Sequence, residues 1–359
     1  MKRRVLVAMS GGVDSSVAAA LLVEQGHEVV GVTMKTFCYS DDVEGTGKTC
    51  CGLEGIMDAR RVADRLGIAH YVFDVEREFT RDVIDDFVSE YAAGRTPNPC
   101  VRCNGNTKFR DLLRRGEMLG CDAIATGHYA RMGADAAGKP ALLRALDGNK
   151  DQSYFLWALP PELLPRLIFP LGELTKPEVR AKARELGLVT ADKPESMEIC
   201  FVPSGDYVDV LEKRLGGDHP ALAPGKMVTP AGETVGEHAG YARYTVGQRK
   251  GLGGGRGLPL YVIGTRPERR EVVVGTLEDL HRADVRIGEL NWLAEPPQAG
   301  DELRVQIRHR AQAVAARVTA RSHGEISLAF DQAQRAVTPG QSAVMFRDDV
   351  VLGGGRIAA

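Results

Sequence analysis

Two groups of residues in this sequence have types and spacings suited to chemistry. The first is Ser10-Gly11-Gly12-Val13-Asp14-Ser15-Ser16, set between an apolar run, Val5–Met9, and an alanine-rich run that ends near Leu22. Glycines let an anion's oxygens come close to the backbone, and N–H groups at a helix start bind phosphate. Ser10, Ser15 and Ser16 would add hydroxyl donors. The second group is made of thiols: Thr96-Pro-Asn-Pro-Cys100-Val-Arg-Cys103-Asn104, and Cys200 within Ser196-Met-Glu-Ile-Cys200-Phe. Thiolates are strong nucleophiles near positive charge, and Arg102 and Lys108 would supply that field.

The glycine pair fits neither of the two common nucleotide loops. No Lys-Ser/Thr follows Gly12, as a Walker loop would need, and adjacent Gly11 and Gly12 do not have the spacing of a dinucleotide fingerprint. On these residues alone, a tight strand-to-helix turn and a few buried thiols remain open readings.

The elements that must hold these residues follow from patterning. Val5–Met9, His27–Thr33, His70–Val75 and Asp122–Thr126 read as strands. Asp14–Gln25, Met57–Leu66, Phe79–Tyr91 and Thr107–Leu119 have helical spacing. This alternation predicts a parallel sheet with helices on both faces, whose ligands sit at the strands' carboxyl ends. Lys35–Gly55 and Gly94–Asn106 interrupt it as long loops, which are usually functional. Thr175 reads as an N-cap, with Glu178 three residues on and Pro177 in the first turn of a helix reaching about Leu186. After Cys200, short runs such as Tyr261–Gly264, Glu271–Val274, Arg304–Ile307, Ala313–Thr319 and Ile326–Phe330 alternate with turns, which suggests small β-barrels or sandwiches. Boundaries near Pro203–Gly216 and Leu277–Ala283 divide the chain into 1–205, 206–280 and 281–359.

Composition sets limits. The 359 residues are 43% hydrophobic and 26% charged, with a net charge of −2, so no global charge draws the chain to nucleic acid or anionic lipid. Arg304, Arg308, Arg310, Arg317 and Arg321 nevertheless form an acid-free strip: a solvated strand face or a phosphate contact. No apolar run approaches the roughly 20 residues of a membrane span. The seven cysteines (Cys38, Cys50, Cys51, Cys100, Cys103, Cys121 and Cys200) are odd in number and scattered, unlike a disulfide scaffold. A cytoplasmic protein is expected. Cys50-Cys51 reads as a surface thiol pair, and Cys38 and Cys121 read as structural.

Together with Ala125-Thr126-Gly127-His128-Tyr129 and Asn149-Lys150-Asp151-Gln152-Ser153-Tyr154, these motifs resemble those of the tRNA-specific 2-thiouridylases, over essentially the whole chain. The resemblance implies an α/β fold. A parallel-sheet PP-loop ATP pyrophosphatase domain (adenine nucleotide alpha hydrolase-like) would be followed by two small β-barrel-like domains, the last contacting tRNA. It implies ATP against Ala8, Met9, Ser10, Gly11, Gly12, Val13, Asp14 and Ser15, framed by Met34 and Gly127. Mg²⁺ would shield the phosphates. The C2 oxygen of the wobble uridine in a tRNA anticodon loop would be adenylated. Cys200 would receive sulfur as a persulfide from a cysteine desulfurase or relay protein. Cys103 would be the second catalytic thiol, ending in a disulfide with Cys200. The resemblance sets Asn98, Pro99 and Cys100 against the target base, and Asn149, Lys150, Asp151, Arg308 and His309 against the tRNA. Glycine-rich Lys250–Gly257 would be a further contact.

Two departures stand out. Many family members carry aspartate where this chain has Cys100, so the assignment of a general acid or base is open. Cys100, Cys103 and Cys200 could also hold an iron–sulfur cluster with one open iron site, which leaves cluster-delivered sulfur as an alternative. The family's usual Arg-Tyr pair is Arg308-His309 here. Other pyrophosphatases, such as amidotransferase types, share the glycine loop but not the cysteines or the β-rich tail.

Overall fold

The computed structural model describes residues 2–36, 53–195, 199–202, 205–252 and 259–358. Cys38, Cys50 and Cys51, and most of the Lys250–Gly257 segment, lie outside the described residues. The first region is built on a parallel sheet of β1 (Arg4–Ala8), β2 (Glu28–Lys35), β3 (Ala69–Asp74), β4 (Ala123–Thr126) and β7 (Leu167–Ile168), in the order β3-β2-β1-β4-β7. β1 runs between β2 and β4 with Val5, Leu6 and Val7 fully buried, as a central parallel strand covered on both faces requires. Helices α1 (Val13–Glu24) and α2 (Leu53–Leu66) follow β1 and β2. Helix α7 (Lys176–Glu185) starts at a Thr175–Glu178 capping box, as its sequence predicts.

Between β3 and β4 the chain forms two helical arms, each with a π turn inside it. In the first, α3 (Glu76–Phe79) runs through a π turn, Thr80–Ile84, into α4 (Asp85–Ala92). In the second, α5 (Pro99–Arg102) runs through a π turn, Cys103–Lys108, into α6 (Phe109–Met118). The expected loop at Gly94–Asn106 is thus helical from Pro99 onward. Proline suits a first helical turn, where its missing N–H has no partner to lose. Single π turns inside helices gather at functional sites, and Cys103 opens the second one.

Beyond α8 (Val208–Leu215), the strands β8 (Gly225–Val228), β9 (Thr234–His238), β10 (Tyr261–Arg266) and β11 (Glu271–Gly275) form a sheet in the order β10-β11-β8-β9. The last region is β12 (His281–Trp292), β13 (Glu302–Gln306), β14 (Val314–Arg321), β15 (Ile326–Arg335), β16 (Ser342–Arg347) and β17 (Val350–Ile357). Pairing of β12 with both β15 and β17 closes these six strands into a barrel. The hairpin β5 (Arg131–Ala134) and β6 (Pro140–Leu143) leaves the first region and joins β17 through Val350 and Leu143. The fold class read from the sequence, a parallel-sheet domain followed by two small β domains, is the one observed.

An ionic cluster fastens the barrel to the thiol-bearing helix. Arg356 on β17 reaches both Asp86 oxygens at 2.9 and 3.0 Å, Glu90 at 2.7 Å and Glu289 of β12 at 3.5 Å. Arg95 donates to Glu90 at 2.7 Å. Arg102, the residue before Cys103, pairs with Asp86 at 3.2 Å and with Glu289. Burial pushes the Glu90 carboxyl up, but the Arg95 hydrogen bond and the charges of Arg356, Arg95 and Arg102 outweigh it and leave it below its ordinary 4.5. Its stabilising contribution is complete above pH 4.5 and is lost as pH falls through the depressed value. Melting temperature should therefore drop more steeply below pH 4.5 in the wild type than in Glu90→Gln. Arg356→Met, which takes one of two guanidiniums from buried Glu90 and leaves half-buried Asp86 with Arg102, should cost about 1–3 kcal/mol in denaturant unfolding at pH 7.

Candidate active site

Strand order reverses between β1 and β4, and in open parallel sheets the crevice beyond such a reversal takes the ligand. Ser10-Gly11-Gly12 follow β1 and Gly127-His128 follow β4, so both predicted segments meet there. Gly11 has φ +72°, and a Cβ on it would stand 2.1 Å from the Gly55 carbonyl oxygen. Gly12 caps α1 in an extended conformation with no side chain bonded to the first-turn N–H groups, which keeps that end fit for an anion. A Cβ on Gly127 would stand 2.7 Å from the Ser15 nitrogen and 2.8 Å from the Asp14 carbonyl carbon. The second motif therefore rests directly on the loop of the first. Met34 is buried near the carboxyl end of β2.

The serines differ from expectation. Ser15 Oγ and Ser16 Oγ donate to the Gly12 carbonyl at 3.1 and 2.8 Å, and the Ser10 N–H donates to Ser15 Oγ at 3.1 Å. Their hydroxyls shape the loop before they can serve a ligand. Asp14 is likewise committed: Lys176 Nζ donates to both its oxygens at 2.7 Å, and the Tyr129 hydroxyl donates at 2.9 Å. Lys176 continues to Glu195 at 3.1 Å, which Lys150 meets at 2.8 Å. The Lys150 hydrogen bond, against burial and with help from Lys176, holds the Glu195 carboxyl down to about 2. Sequence reasoning missed Lys176 and Glu195. A clue existed: a lysine at the first position of a helix opposes the macrodipole and needs a nearby anion, and here that anion is Asp14.

Asn98, expected against the base, meets residues of two other segments. Asn98 hydrogen-bonds to the Tyr154 hydroxyl, which donates to the Ser342 carbonyl at 3.0 Å. The next ring, Phe155, lies 4.4 Å from the His309 ring and is only partly buried. Arg308, His309 and Arg310 form an exposed turn beside them. The arginine strip is not a single surface. Arg304 donates to the Ala313 carbonyl, Arg317 pairs with Glu302, and Arg321 donates to the Pro297 carbonyl. Asn149 and Lys150 turn elsewhere, to Asp147 and Glu195, while Asp151 turns inward and accepts from the Ala145 and Ser153 N–H groups and the Ser153 hydroxyl. The barrel also grips the Thr96–Pro99 stretch. The Thr96 N–H donates to the Pro339 carbonyl at 2.9 Å, and Gln341 Nε2 donates to the Thr96 and Pro97 carbonyls.

Cys100 is exposed, whereas Cys103 and Cys200 are half-buried at the rim of one aromatic cluster that contains Phe79, Phe87 and Phe201. All described cysteines are thiols, so no Cys103–Cys200 disulfide is present. Burial pushes the Cys103 thiol up; Lys108 pulls it back and Cys100 adds to the rise. Arg102, expected to share in activating the thiols, is instead spent on Asp86 and Glu289. His128, stacked on Phe109 with Nδ1 2.8 Å from Thr126 Oγ1, is held well below its ordinary range by burial and by Lys108. Among the described residues, no group of three or more His, Cys, Asp or Glu side chains is arranged to hold a metal ion, and Cys100, Cys103 and Cys200 make no such group as they stand.

Family models divide the chain as the folds do. Residues 3–204 match the tRNA methyl transferase HUP domain, 210–276 the tRNA methyl transferase PRC-barrel domain, and 282–357 the aminomethyltransferase β-barrel domain. The chain is thus a nucleotide-binding α/β domain of the HUP class that carries two β modules. It is 49% identical over 361 residues to the tRNA-specific 2-thiouridylase MnmA of Geobacter metallireducens, covering 100% of this chain and 97% of that one. It is 50% identical over 362 residues to the MnmA of Rhodospirillum centenum, covering 99% and 91%. The chain belongs to the tRNA-specific 2-thiouridylase family, enzymes of the tRNA sulfurtransferase class. A solved 4-thiouridine synthetase–RNA complex with bound ATP is a weaker likeness, with a TM-score of 0.35 and 18% identity over 60% of this chain and 51% of that one.

Gly127→Ala tests the junction of the two motifs. Its new methyl must displace the loop, an overpacking cost of about 1–3 kcal/mol. ATP affinity measured by calorimetry should fall about tenfold or more, with the melting temperature lowered by only a few degrees.

Proposed function

We propose that this chain converts the wobble uridine of a tRNA anticodon to 2-thiouridine, using ATP to activate the C2 oxygen and a persulfide on Cys200 as the sulfur source. The observation that carries this reading is the rim shared by Cys103 and Cys200, with the Cys103 arm reaching the β1–β4 crevice where Phe109 of α6 stacks on His128 after β4. The proposed units are residues 1–205 for catalysis, 206–280 as a central β domain and 281–359 as a tRNA-contacting barrel.

ATP lies against Ala8–Ser15, its phosphates over the uncapped start of α1, with Gly127 and Met34 beside it. Asp14 is neutralised by Lys176, so a negative ligand meets little opposing charge. Mg²⁺, where bound with the phosphates, would supply charge shielding, and among the described residues no cluster of three or more His, Cys, Asp or Glu stands ready to hold it. The target base leaves the stacked anticodon loop, as base-modifying enzymes require, and enters beside Asn98, Pro99 and Cys100. Asn149, Lys150 and Asp151 border the RNA path, with Asp151 shaping its turn, and Arg308 and His309 contact the strand. Half-exposed Phe155 joins His309 as a stacking surface that the sequence did not single out.

The steps balance as follows. The C2 oxygen attacks the α-phosphorus and pyrophosphate leaves. The terminal sulfur of the Cys200 persulfide bonds to C2. Cys103, as thiolate, attacks the Cys200 sulfur, and the electron pair of the broken S–S bond passes to the sulfur on C2. AMP departs as the C–O bond breaks, leaving 2-thiouridine and a Cys103–Cys200 disulfide, which an external dithiol resets. A cysteine desulfurase or relay protein loads Cys200. Each step places the chain in an aqueous compartment with tRNA, for which the cytoplasm is the proposed location.

Nucleoside mass analysis of tRNA incubated with ATP, Mg²⁺ and a persulfide source should show 2-thiouridine with the wild type. Cys103→Ser and Cys200→Ser should show none, while still releasing pyrophosphate in a tRNA-dependent manner. Active Cys200→Ser would refute the persulfide route. Affinity for tRNA should fall steeply with salt, and Arg308→Ala should flatten that slope by about one unit.

A further inference from the structure

Phe201 directly follows Cys200, and its ring is buried between two rings of the first helical arm. Its centroid lies 5.9 Å from Phe79 at 73° and 5.1 Å from Phe87 at 90°, both edge-to-face. That geometry is the favoured one for aromatic pairs. Phe79 and Phe87 are eight residues apart. In an unbroken α-helix, at about 100° per residue, they would point about 80° apart. The π turn Thr80–Ile84 lies between them and takes up one extra residue, which leaves about seven regular steps and brings the rings to within about 20° of one stripe. The same π turn faces the one that carries Cys103: Thr107 Oγ1 reaches Asp82 Oδ2 at 3.5 Å across the two arms. Further along the stripe Phe87 meets Tyr91, which stacks on Tyr207 at 4.4 Å. The Ile199–Val202 turn closes through the Val202 N–H to the Ile199 carbonyl at 2.9 Å, so Cys200 stands one residue from the anchored ring.

We infer that Phe201 is a positioning residue, which docks between Phe79 and Phe87 to set Cys200 opposite Cys103, and that the π turn Thr80–Ile84 serves to align its two receiving rings. The anchor acts through Cys200 and touches no substrate. Its value is entropic: a sulfur carried on an otherwise short turn is held at high local concentration against its partner thiol. The inference rests on the two-thiol reading proposed above.

The test is the redox equilibrium of the full-length protein in glutathione buffers. Oxidation moves two electrons to glutathione disulfide: one cysteine thiolate attacks it, and the second then displaces glutathione to close the Cys103–Cys200 bond. The fraction closed is read by alkylation and peptide mass analysis, with Cys121 as the unreactive reference. Phe201→Leu should lower the effective concentration of one thiol toward the other at least tenfold, with an unchanged far-ultraviolet spectrum. Inserting one alanine after exposed Arg81, which adds a step of about 100° and swings Phe79 off the stripe, should do the same, whereas deleting Arg81 leaves seven α steps and should retain the wild-type value. Phe201→Trp, which keeps a ring at the site, should retain more of the wild-type value than Phe201→Leu. A closed wild type with Phe201→Leu equal to it overturns the inference and leaves the two-thiol reading intact. A wild type that forms no intramolecular disulfide at any glutathione ratio overturns both.

Discussion

The structure depends on one constraint: the helix that opens at Pro99 and carries Cys103 is fixed from outside its own domain. Arg356 and Glu289, both on barrel strands, share Asp86, Glu90 and Arg102 with the two helical arms. Gln341 and Pro339 hold the backbone just before that helix. The set centres on buried Glu90, whose carboxylate needs its guanidinium partners to stay charged. The thiol helix, the barrel and the β12–β17 seam therefore stand or fall as a unit. Because Arg102 is consumed in this set, Lys108 remains as the cation that bears on both Cys103 and His128. The fixing of the helix and the electrostatics of its thiol are two results of the same pairing.

Much of the fold was legible because it is local. Alternating apolar runs gave the sheet, and Thr175 with Glu178 marked the start of α7. The nucleotide loop was legible because Gly11 and Gly127 answer steric demands that no other residue meets. The π turns were not legible, since they depend on which rings must share a stripe after packing. They left no mark in a periodicity count: Phe79–Tyr91 read as helix across its π turn, and the segment around Cys103 read as loop because Pro97, Pro99 and its cysteines interrupt the rhythm. The arginine strip misled for the opposite reason. Spacing could not reveal that Arg304, Arg317 and Arg321 have partners within the barrel, leaving the Arg308–Arg310 turn to face outward.

Two residues set this chain apart from the pattern it resembles. Cys100 is exposed at the mouth of the thiol helix, close enough to raise the Cys103 thiol but not arranged with Cys103 and Cys200 as a ligand group. His309 keeps an aromatic face against Phe155. Burial and Arg310 lower its imidazole, against a smaller opposing pull from Asp151, which favours the neutral ring near pH 7. A neutral ring stacks without adding charge, so electrostatic attraction on that turn is left to Arg308 and Arg310.

The separation along the chain between the thiol helix and its fastenings has a bearing on synthesis. Asp86 waits for Arg356 across 270 positions, and Thr96 waits for Gln341 across 245. Contacts of such long range form late, and N-terminal regions emerge from the ribosome first. A nascent nucleotide domain can thus close its sheet and shape its glycine loop roughly ten to thirty seconds before the helix that carries Cys103 is fastened. During that interval the helix lacks its barrel-borne partners, and the ordering of birth leaves the seating of Cys103 to the finished molecule.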